Sequence, residues 1–212
     1  MNNRHNNELG NEKISSLLFR MAVPAITAQI INLLYNLVDR MYIGHIEGVG
    51  ATALTAVGVT MPVIMVISAF AALVSMGGAP RASIMMGKGD KDSAEKIMGN
   101  CTTALVFISA VLTAAVLLFG ENMLMAFGAS ENTVGYALDY MNIYACGTIF
   151  VQIALGLNAF ITAQGFAKIS MITVLVGAVL NIVLDPIFIF GLDMGVKGAA
   201  LATIISQAVS AL

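Results

Sequence analysis

The stretch from Ala51 to Gly78 contains no charged residue. A helix needs about 20 predominantly apolar residues to cross a hydrocarbon core of roughly 30 Å, and this stretch is longer than that. Its apolar residues form a continuous run without the period-2 alternation that is typical of barrel strands. The whole chain is 58% hydrophobic and only 10% charged, whereas soluble domains carry about 25% charged residues. The sequence therefore predicts an all-α integral membrane protein.

Six apolar segments follow one another along the chain. The first is too long for the h-region of a signal peptide, roughly 7–15 residues, and no A-x-A cleavage site follows it, so we expect it to be retained. Five segments are long enough to span a bilayer. The sixth offers only fifteen residues after Lys197, and we expect it to be truncated. The predicted organisation is an N-terminal tail (1–13) followed by a six-helix transmembrane bundle (14–212). The segments are Ser16–Ile43, Ala51–Gly78, Ile97–Gly120, Tyr136–Ala163, Ile169–Leu192 and Gly198–Leu212.

The basic residues are distributed unequally between the two sides of this arrangement. Lysine and arginine accumulate on the cytoplasmic side of membrane proteins. Eight basic residues lie on the side of the N-terminus and two on the opposite side, so the sequence predicts a cytoplasmic N-terminal tail. The eight are Arg4, Lys13, Arg20, Arg81, Lys88, Lys91, Lys96 and Lys168, and the two are Arg40 and Lys197.

Two aspartates lie inside predicted membrane helices. An ionisable group at the centre of such a helix costs roughly 2.5–3.5 kcal/mol on insertion scales, so it indicates a functional site. Asp39 lies five residues before Gly44, and Asp185 lies six residues before Gly191. At 1.5 Å rise per residue, both carboxylates are expected about 8–9 Å inside the outer ends of their helices. We therefore expect the two acids at similar depth.

Neutral oxygen donors surround these acids in the sequence. Asn181 precedes Asp185 by one helical turn and shares its face, and Tyr35 precedes the first aspartate by one turn. Asn158, near the end of the fourth segment, and Thr203, early in the sixth, add further neutral oxygens. Such oxygens suit a small hard cation such as sodium, and they equally suit a carboxyl group that binds a proton. The sequence leaves both chemistries open.

Simpler interpretations compete with a functional one. Asp39 is followed by Arg40 and is also explained as an interfacial residue near the lipid headgroups. Asp185 precedes Pro186, and a residue before proline disfavours the helical conformation, so the aspartate is also explained as a local cap. Pro24, in the first predicted helix, is either a fixed kink or a hinge whose bend changes with the charge of Asp39.

The sequence contains no pattern that indicates catalysis. No Cys/His set has zinc spacing, no glycine-rich phosphate loop is present, and no Ser-His-Asp set can be assembled. Cys101 and Cys146 fall inside predicted membrane segments, where small packing residues are the favoured interpretation. We therefore predict that the protein is not an enzyme, needs no cofactor beyond a coupling ion, and has no nucleic-acid partner.

Several motifs resemble one transporter family along practically the whole chain. RMAVPAITAQIINLLYNLVDRMYIG (Arg20–Gly44) resembles the first helix of MATE multidrug exporters, and GAVLNIVLDPIFIFG (Gly177–Gly191) resembles their fifth helix with its Asn-x3-Asp-Pro motif. MGVKGAALATIISQ (Met194–Gln207) is similar to the sixth helix. Ala82–Gly99 is similar to the cytoplasmic loop between the second and third helices. The resemblance is to the bacterial DinF/MepA/NorM-like group.

The resemblance implies a fold and a function. MATE transporters have twelve helices in two six-helix lobes, and this chain corresponds to the N-terminal lobe, with the C-terminal lobe absent. The family exports cationic amphipathic compounds across the bacterial inner (cell) membrane in exchange for sodium ions or protons. The residues carried over to the cation- or proton-coupling site, which includes any sodium site, are Asp39, Asn181, Asp185 and Thr203, with Tyr35 and Asn158 as second members and Pro24 as the hinge.

Two other functions stay open at this point. The first is a flippase for lipid-linked oligosaccharides, which has a similar helical plan. Such cavities need several basic residues to hold pyrophosphate, and the predicted membrane segments have almost none apart from Arg20 and Arg40 near helix ends. The second is a truncated fragment that does not transport.

Overall fold

The computed structural model describes residues 14–212, and all regular secondary structure in this range is helical. The predicted cytoplasmic tail (1–13) lies outside the described residues. The elements are α1 (Ile14–Gly44), α2 (Gly50–Gly87), α3 (Lys91–Ala126), α4 (Glu131–Cys146), α5 (Thr148–Ala163), α6 (Ala167–Pro186), a π-helical turn (Ile187–Gly191) and α7 (Gly195–Ala211).

The number of membrane-crossing elements agrees with the sequence. Four elements are each long and apolar enough to cross a membrane. They are α1, α2, α3, and α6 together with its π turn. Helices α4 and α5 form a fifth span that is bent by 59°. Helix α7 has 17 residues, which corresponds to about 26 Å at the usual helical rise and is shorter than a hydrocarbon core. The prediction of an all-α membrane bundle is confirmed, with a sixth, shorter helix.

The fourth predicted segment, Tyr136–Ala163, is not a single straight helix. Helical structure begins earlier, at Glu131, and breaks at Gly147. Proline, the usual cause of a kink, is absent from this span. A Cβ atom on Gly147 would lie 2.3–2.6 Å from three side-chain atoms of Ile204 on α7, so a glycine is needed for the two helices to pack this closely. Hydropathy alone does not register that requirement.

Helices α2 and α3 extend beyond their predicted apolar segments. Most of the expected cytoplasmic loop, Ala82–Gly99, is helical, and only residues 88–90 connect the two helices. Asp90 caps α3, because its side chain accepts a hydrogen bond of 3.0 Å from the backbone N–H of Ser93. Hydropathy marks where a helix leaves the apolar region, whereas the cap marks where the helix begins.

The packing of the helices is uneven. Helix α1 packs mainly against α6 and much less against α2, whereas α2 packs against both α3 and α5. Small side chains allow close approach between membrane helices, and six alanines of α2, α4 and α7 are completely buried in the main core cluster. They are Ala53, Ala56, Ala137, Ala145, Ala199 and Ala200. Because α1 is held mainly by α6, the side chains of these two helices face each other.

Candidate functional site

The C-terminal end of α6 departs from regular helix immediately after Asp185. Pro186 has no backbone N–H, so the regular hydrogen-bond ladder is interrupted at this residue. The chain continues as the π turn, in which the N–H of Leu192 donates to the carbonyl of Ile187 at 2.8 Å. Gly198 lies directly against this turn, since a Cβ there would be 2.7–2.9 Å from the backbone of Phe188 and Ile189. π-Helical turns inside helices are frequent at functional sites.

One turn before the proline, α6 presents two buried polar side chains. Asp185 is 0% exposed and Asn181 is 1% exposed. The amide nitrogen of Asn181 donates to Asp185 Oδ1 at 3.2 Å and to Thr203 Oγ1 on α7 at 3.5 Å. The structure therefore brings together three of the four predicted coupling residues through a single amide group.

Asp39 supplies the fourth member from α1. Its side chain is only 7% exposed, and its carboxyl group lies within electrostatic range of that of Asp185. Tyr35, predicted as a second member, lies within electrostatic range of both acids. We call Asp39, Asn181, Asp185 and Thr203 the aspartate cluster. That the two acids lie at similar depth in a membrane stays a prediction.

The aspartate cluster contains more buried oxygen atoms than its own hydrogen bonds can satisfy. Asp39 Oδ1, Asn181 Oδ1 and Asp185 Oδ2 are buried and have no hydrogen-bond partner among the described residues. An unpartnered polar atom inside a protein is costly, and two adjacent carboxylates add mutual repulsion. A sodium ion held by these hard oxygens, or a proton shared between the carboxyl groups, relieves both costs. The donor set therefore fits either of these ions.

A cavity of about 470 Å³ opens beside the aspartate cluster. Asp39 and Thr203 line it, and among the described lining residues the only charged side chains are Asp39 and Arg40. Helix α1 also contributes Gln29, Asn32 and Asn36 to the wall. Our sequence reasoning missed these three residues, although successive steps of three, four and three positions lead from Gln29 to Asp39 and place them on one helical face.

Two tyrosines of α4 also belong to this site and were missed. Tyr140 and Tyr144 line the cavity, and their rings stack with centroids 6.2 Å apart and planes 16° from parallel. Tyr140 interacts with the side chain of Thr203 and lies within electrostatic range of Asp39. Their i, i+4 spacing in a predicted membrane helix was the available signal, but it equally fits residues that only pack.

The part of the chain that builds this site also matches a known protein family. Residues 24–187, most of the chain, match the family model for MatE. The chain belongs to the MATE family. It is 29% identical over 199 residues to the multidrug export protein MepA of Staphylococcus haemolyticus, covering 94% of this chain and 44% of that protein.

Solved structures of MATE proteins have the same fold. A MATE crystal structure in the bent conformation superposes with a TM-score of 0.89 and 28% identity, covering 99% of this chain and 46% of that chain. A MATE crystal structure in the straight conformation gives 0.87 and 29%, covering 96% and 44%. The chain therefore spans a little less than half the length of the MATE proteins that it matches.

Asn158, the other predicted second member, is engaged elsewhere in this MATE lobe. Its amide nitrogen donates to Thr173 Oγ1 at 3.0 Å and to the carbonyl of Ser170 at 3.3 Å, and its amide oxygen accepts from Ser170 Oγ. Thr162 Oγ1 donates to Ser170 Oγ at 2.9 Å. We call Asn158, Thr162, Ser170 and Thr173 the inner polar cluster. The structure places Asn158 in the wall of the cavity but in no hydrogen bond with either aspartate.

Pro24 is buried inside α1, which continues as one helix from Ile14 to Gly44. Fifteen residues separate Pro24 from Asp39, or about 22 Å of helix. A bend at Pro24 would therefore act on the aspartate cluster through the rigid helix between them and not by direct contact. Its assignment as a hinge stays a prediction.

Proposed function

We propose that this chain is the N-terminal lobe of a secondary active transporter that exports cationic amphipathic compounds in exchange for sodium ions or protons. The observation that carries the proposal is the set of three buried, unpartnered oxygens of Asp39, Asn181 and Asp185. Membrane proteins place ionisable groups inside the bilayer rarely, and chiefly for transport of ions, protons or substrates.

The coupling follows from the charge of the aspartate cluster. An ion between Asp39 on α1 and Asp185 on α6 neutralises the facing carboxylates and favours close packing of these helices. A ligand shifts a conformational equilibrium by its difference in affinity for the two states. Related MATE structures in bent and straight conformations support two packings of this lobe, and Pro24 is the proposed hinge in α1.

The walls of the cavity favour a cationic and aromatic cargo. Asp39 supplies negative charge, and the stacked rings of Tyr140 and Tyr144 supply aromatic surface, which attracts cations through the ring quadrupole. Arg40 is the only basic side chain among the described lining residues. A flippase cavity that binds pyrophosphate would need several, so the geometry favours drug export over flipping.

The proposed partners and location follow from the length and charge of the chain. Because the chain spans 44% of MepA, we propose that it acts with a second six-helix lobe. The small-molecule cargo would bind between the two lobes. The excess of lysine and arginine on one side supports a cytoplasmic N-terminus, and the bacterial relatives support a location in a bacterial cell membrane. We propose no cofactor apart from the coupled ion.

The test is ion-driven efflux. The chain is expressed together with any coding sequence that adjoins it, and the purified protein is reconstituted in liposomes. Ethidium transport is then measured under an imposed sodium or proton gradient. We expect Asp39→Asn and Asp185→Asn to lower gradient-driven transport at least about tenfold, equivalent to about 1.4 kcal/mol. Asp139→Asn is the matched control, because this half-exposed acid pairs with Lys197 at 3.3 Å. Unaltered transport in both cluster variants would exclude the proposal.

A further inference from the structure

We infer that Thr113 on α3 positions the tyrosine pair of α4 and thereby sets the affinity of the cavity for aromatic cations. The inference rests on the proposed function. Thr113 Oγ1 donates a hydrogen bond of 2.8 Å to the backbone carbonyl of Ala145. This bond ties a neighbouring helix to the last turn of α4, directly beside Tyr144 and ahead of the bend at Gly147.

The bend creates the need for this hydrogen bond. In a continuous helix the carbonyl of Ala145 would accept from the N–H of Ile149. Among the described residues that bond is not formed, and the N–H of Phe150 donates to the carbonyl of Gly147 instead of to that of Cys146. A helix end inside a membrane must find partners for its last carbonyls. Thr113 supplies the partner for one of them.

The bend also packs against α7. Ile204 fills the space that a side chain at position 147 would occupy. The residue before it, Thr203, contacts both Asn181 and Tyr140. The bend is thus held by Thr113 of α3 and by Ile204 of α7, the helix that also carries Thr203 of the aspartate cluster.

The direction of the last turn of α4 sets where the two tyrosine rings lie in the cavity. Tyr144 immediately precedes Ala145, and Tyr140 lies one turn earlier on the same face of α4. A change in the direction of this last turn moves both rings relative to Asp39, whereas α3 contributes no residue to the cavity wall among the described residues. Thr113 therefore acts on cargo through the backbone of α4 and not by contact.

The experiment measures equilibrium binding of tetraphenylphosphonium to the purified protein, together with its thermal stability. Thr113→Val keeps the shape of the side chain and removes the donor, and Thr113→Ser keeps the donor. We expect Thr113→Val to weaken tetraphenylphosphonium binding about fivefold or more, and Thr113→Ser to bind nearly as the parent does. Thr103→Val is the matched control, because Thr103 is exposed on α3 and donates only to Gly99 in its own helix.

A coupling measurement separates positioning from plain destabilisation. In a Tyr144→Leu background the aromatic surface is gone, so Thr113→Val should produce little further loss of tetraphenylphosphonium affinity. The inference is overturned if Thr113→Val lowers stability but leaves affinity unchanged, or if its full effect on affinity persists in the Tyr144→Leu background.

A second pair keeps the test decisive should Thr113→Val fail to fold. Gly147→Ala should weaken tetraphenylphosphonium binding, and Gly147→Ala combined with Ile204→Ala should restore it, because the smaller residue on α7 leaves room for the new methyl group. No restoration would contradict the inference.

Binding at equilibrium needs no ion gradient. Failure of the proposed coupling would therefore appear as unaltered gradient-driven transport in Asp39→Asn, and failure of this inference as unaltered affinity in Thr113→Val.

Discussion

The two polar clusters in the wall of one cavity differ in how completely their atoms are partnered. In the inner polar cluster every side chain takes part in at least one hydrogen bond. In the aspartate cluster three buried oxygens have no partner among the described residues. Most buried polar atoms in proteins are satisfied, and an exception requires an explanation. The difference supports a helix-joining role for the inner polar cluster and, under the proposed function, an ion-binding role for the aspartate cluster.

The largest predicted effect is the loss of ion-dependent stability in the aspartate cluster. A ligand at 100 times its dissociation constant stabilises the folded state by about 2.7 kcal/mol. We expect sodium or acidification to raise the thermal unfolding temperature of the parent protein, and this rise to disappear in Asp39→Asn and Asp185→Asn. Thermal unfolding in detergent at increasing ion concentration measures it. The same rise in both variants would show that the ion acts elsewhere.

The second prediction concerns the π turn that follows Asp185. Gly198→Ala places a methyl group against backbone atoms of Phe188 and Ile189, so the turn must shift. We expect a loss of about 1–3 kcal/mol in stability, typical of overpacking, and a weaker response to the ion. Gly99→Ala is the control, since no atom lies within 4 Å of the new group and alanine favours helix. A Gly198→Ala protein as stable as the parent would contradict the close packing.

The third prediction tests the inner polar cluster as structural. Asn158→Leu removes hydrogen bonds to Ser170 and Thr173, and interhelical bonds of this kind contribute about 0.6–2 kcal/mol each. We expect lower thermal stability with an unchanged shift on ion binding. Should the ion response of Asn158→Leu disappear, Asn158 would belong to the coupling site, as the sequence-based assignment has it, and the contrast between the clusters would fail.

Sequence reasoning reached the aspartate cluster because its two acids break a strong rule. An acid in an apolar helix is conspicuous, and Asn181 is conspicuous one turn before Asp185. Tyr140 and Tyr144 break no such rule, because aromatic residues are ordinary in membrane helices. Their role depends on the direction of α4 after its bend at Gly147, and that direction follows from a contact with Ile204 far away in the sequence.

The number of helices could be predicted from hydropathy, whereas the positions of the helix ends could not. Apolar length determines how many spans a chain forms, and five spans follow directly from it. Helix ends depend on individual caps and on contacts between helices. The continuation of α2 to Gly87 and the start of α3 at Lys91 lie in polar sequence, where hydropathy gives no signal.

The smallest predicted effect separates a surface acid from the buried pair. Asp90 is fully exposed, and the hydrogen bond from Ser93 lowers the pKa of its carboxyl group below the usual value of 3.8. A lowered folded-state pKa stabilises the protein above the unfolded pKa, and this stability is lost as the pH falls through the folded value. Asp90 therefore contributes no change in stability between about pH 6 and 8.

Two variants of Asp90 test this assignment. Asp90→Asn retains a good N-cap without the charge, and Asp90→Ala removes the cap. Thermal unfolding should show a small loss for Asp90→Ala at neutral pH. The loss of parent stability below about pH 4 should be smaller in Asp90→Asn. Between about pH 6 and 8 both variants should keep the pH response of the parent, which assigns that response to groups other than this cap. A changed pH dependence of stability in that range would show that the α2–α3 turn contributes to it. The contrast between surface and buried acids would then be weaker.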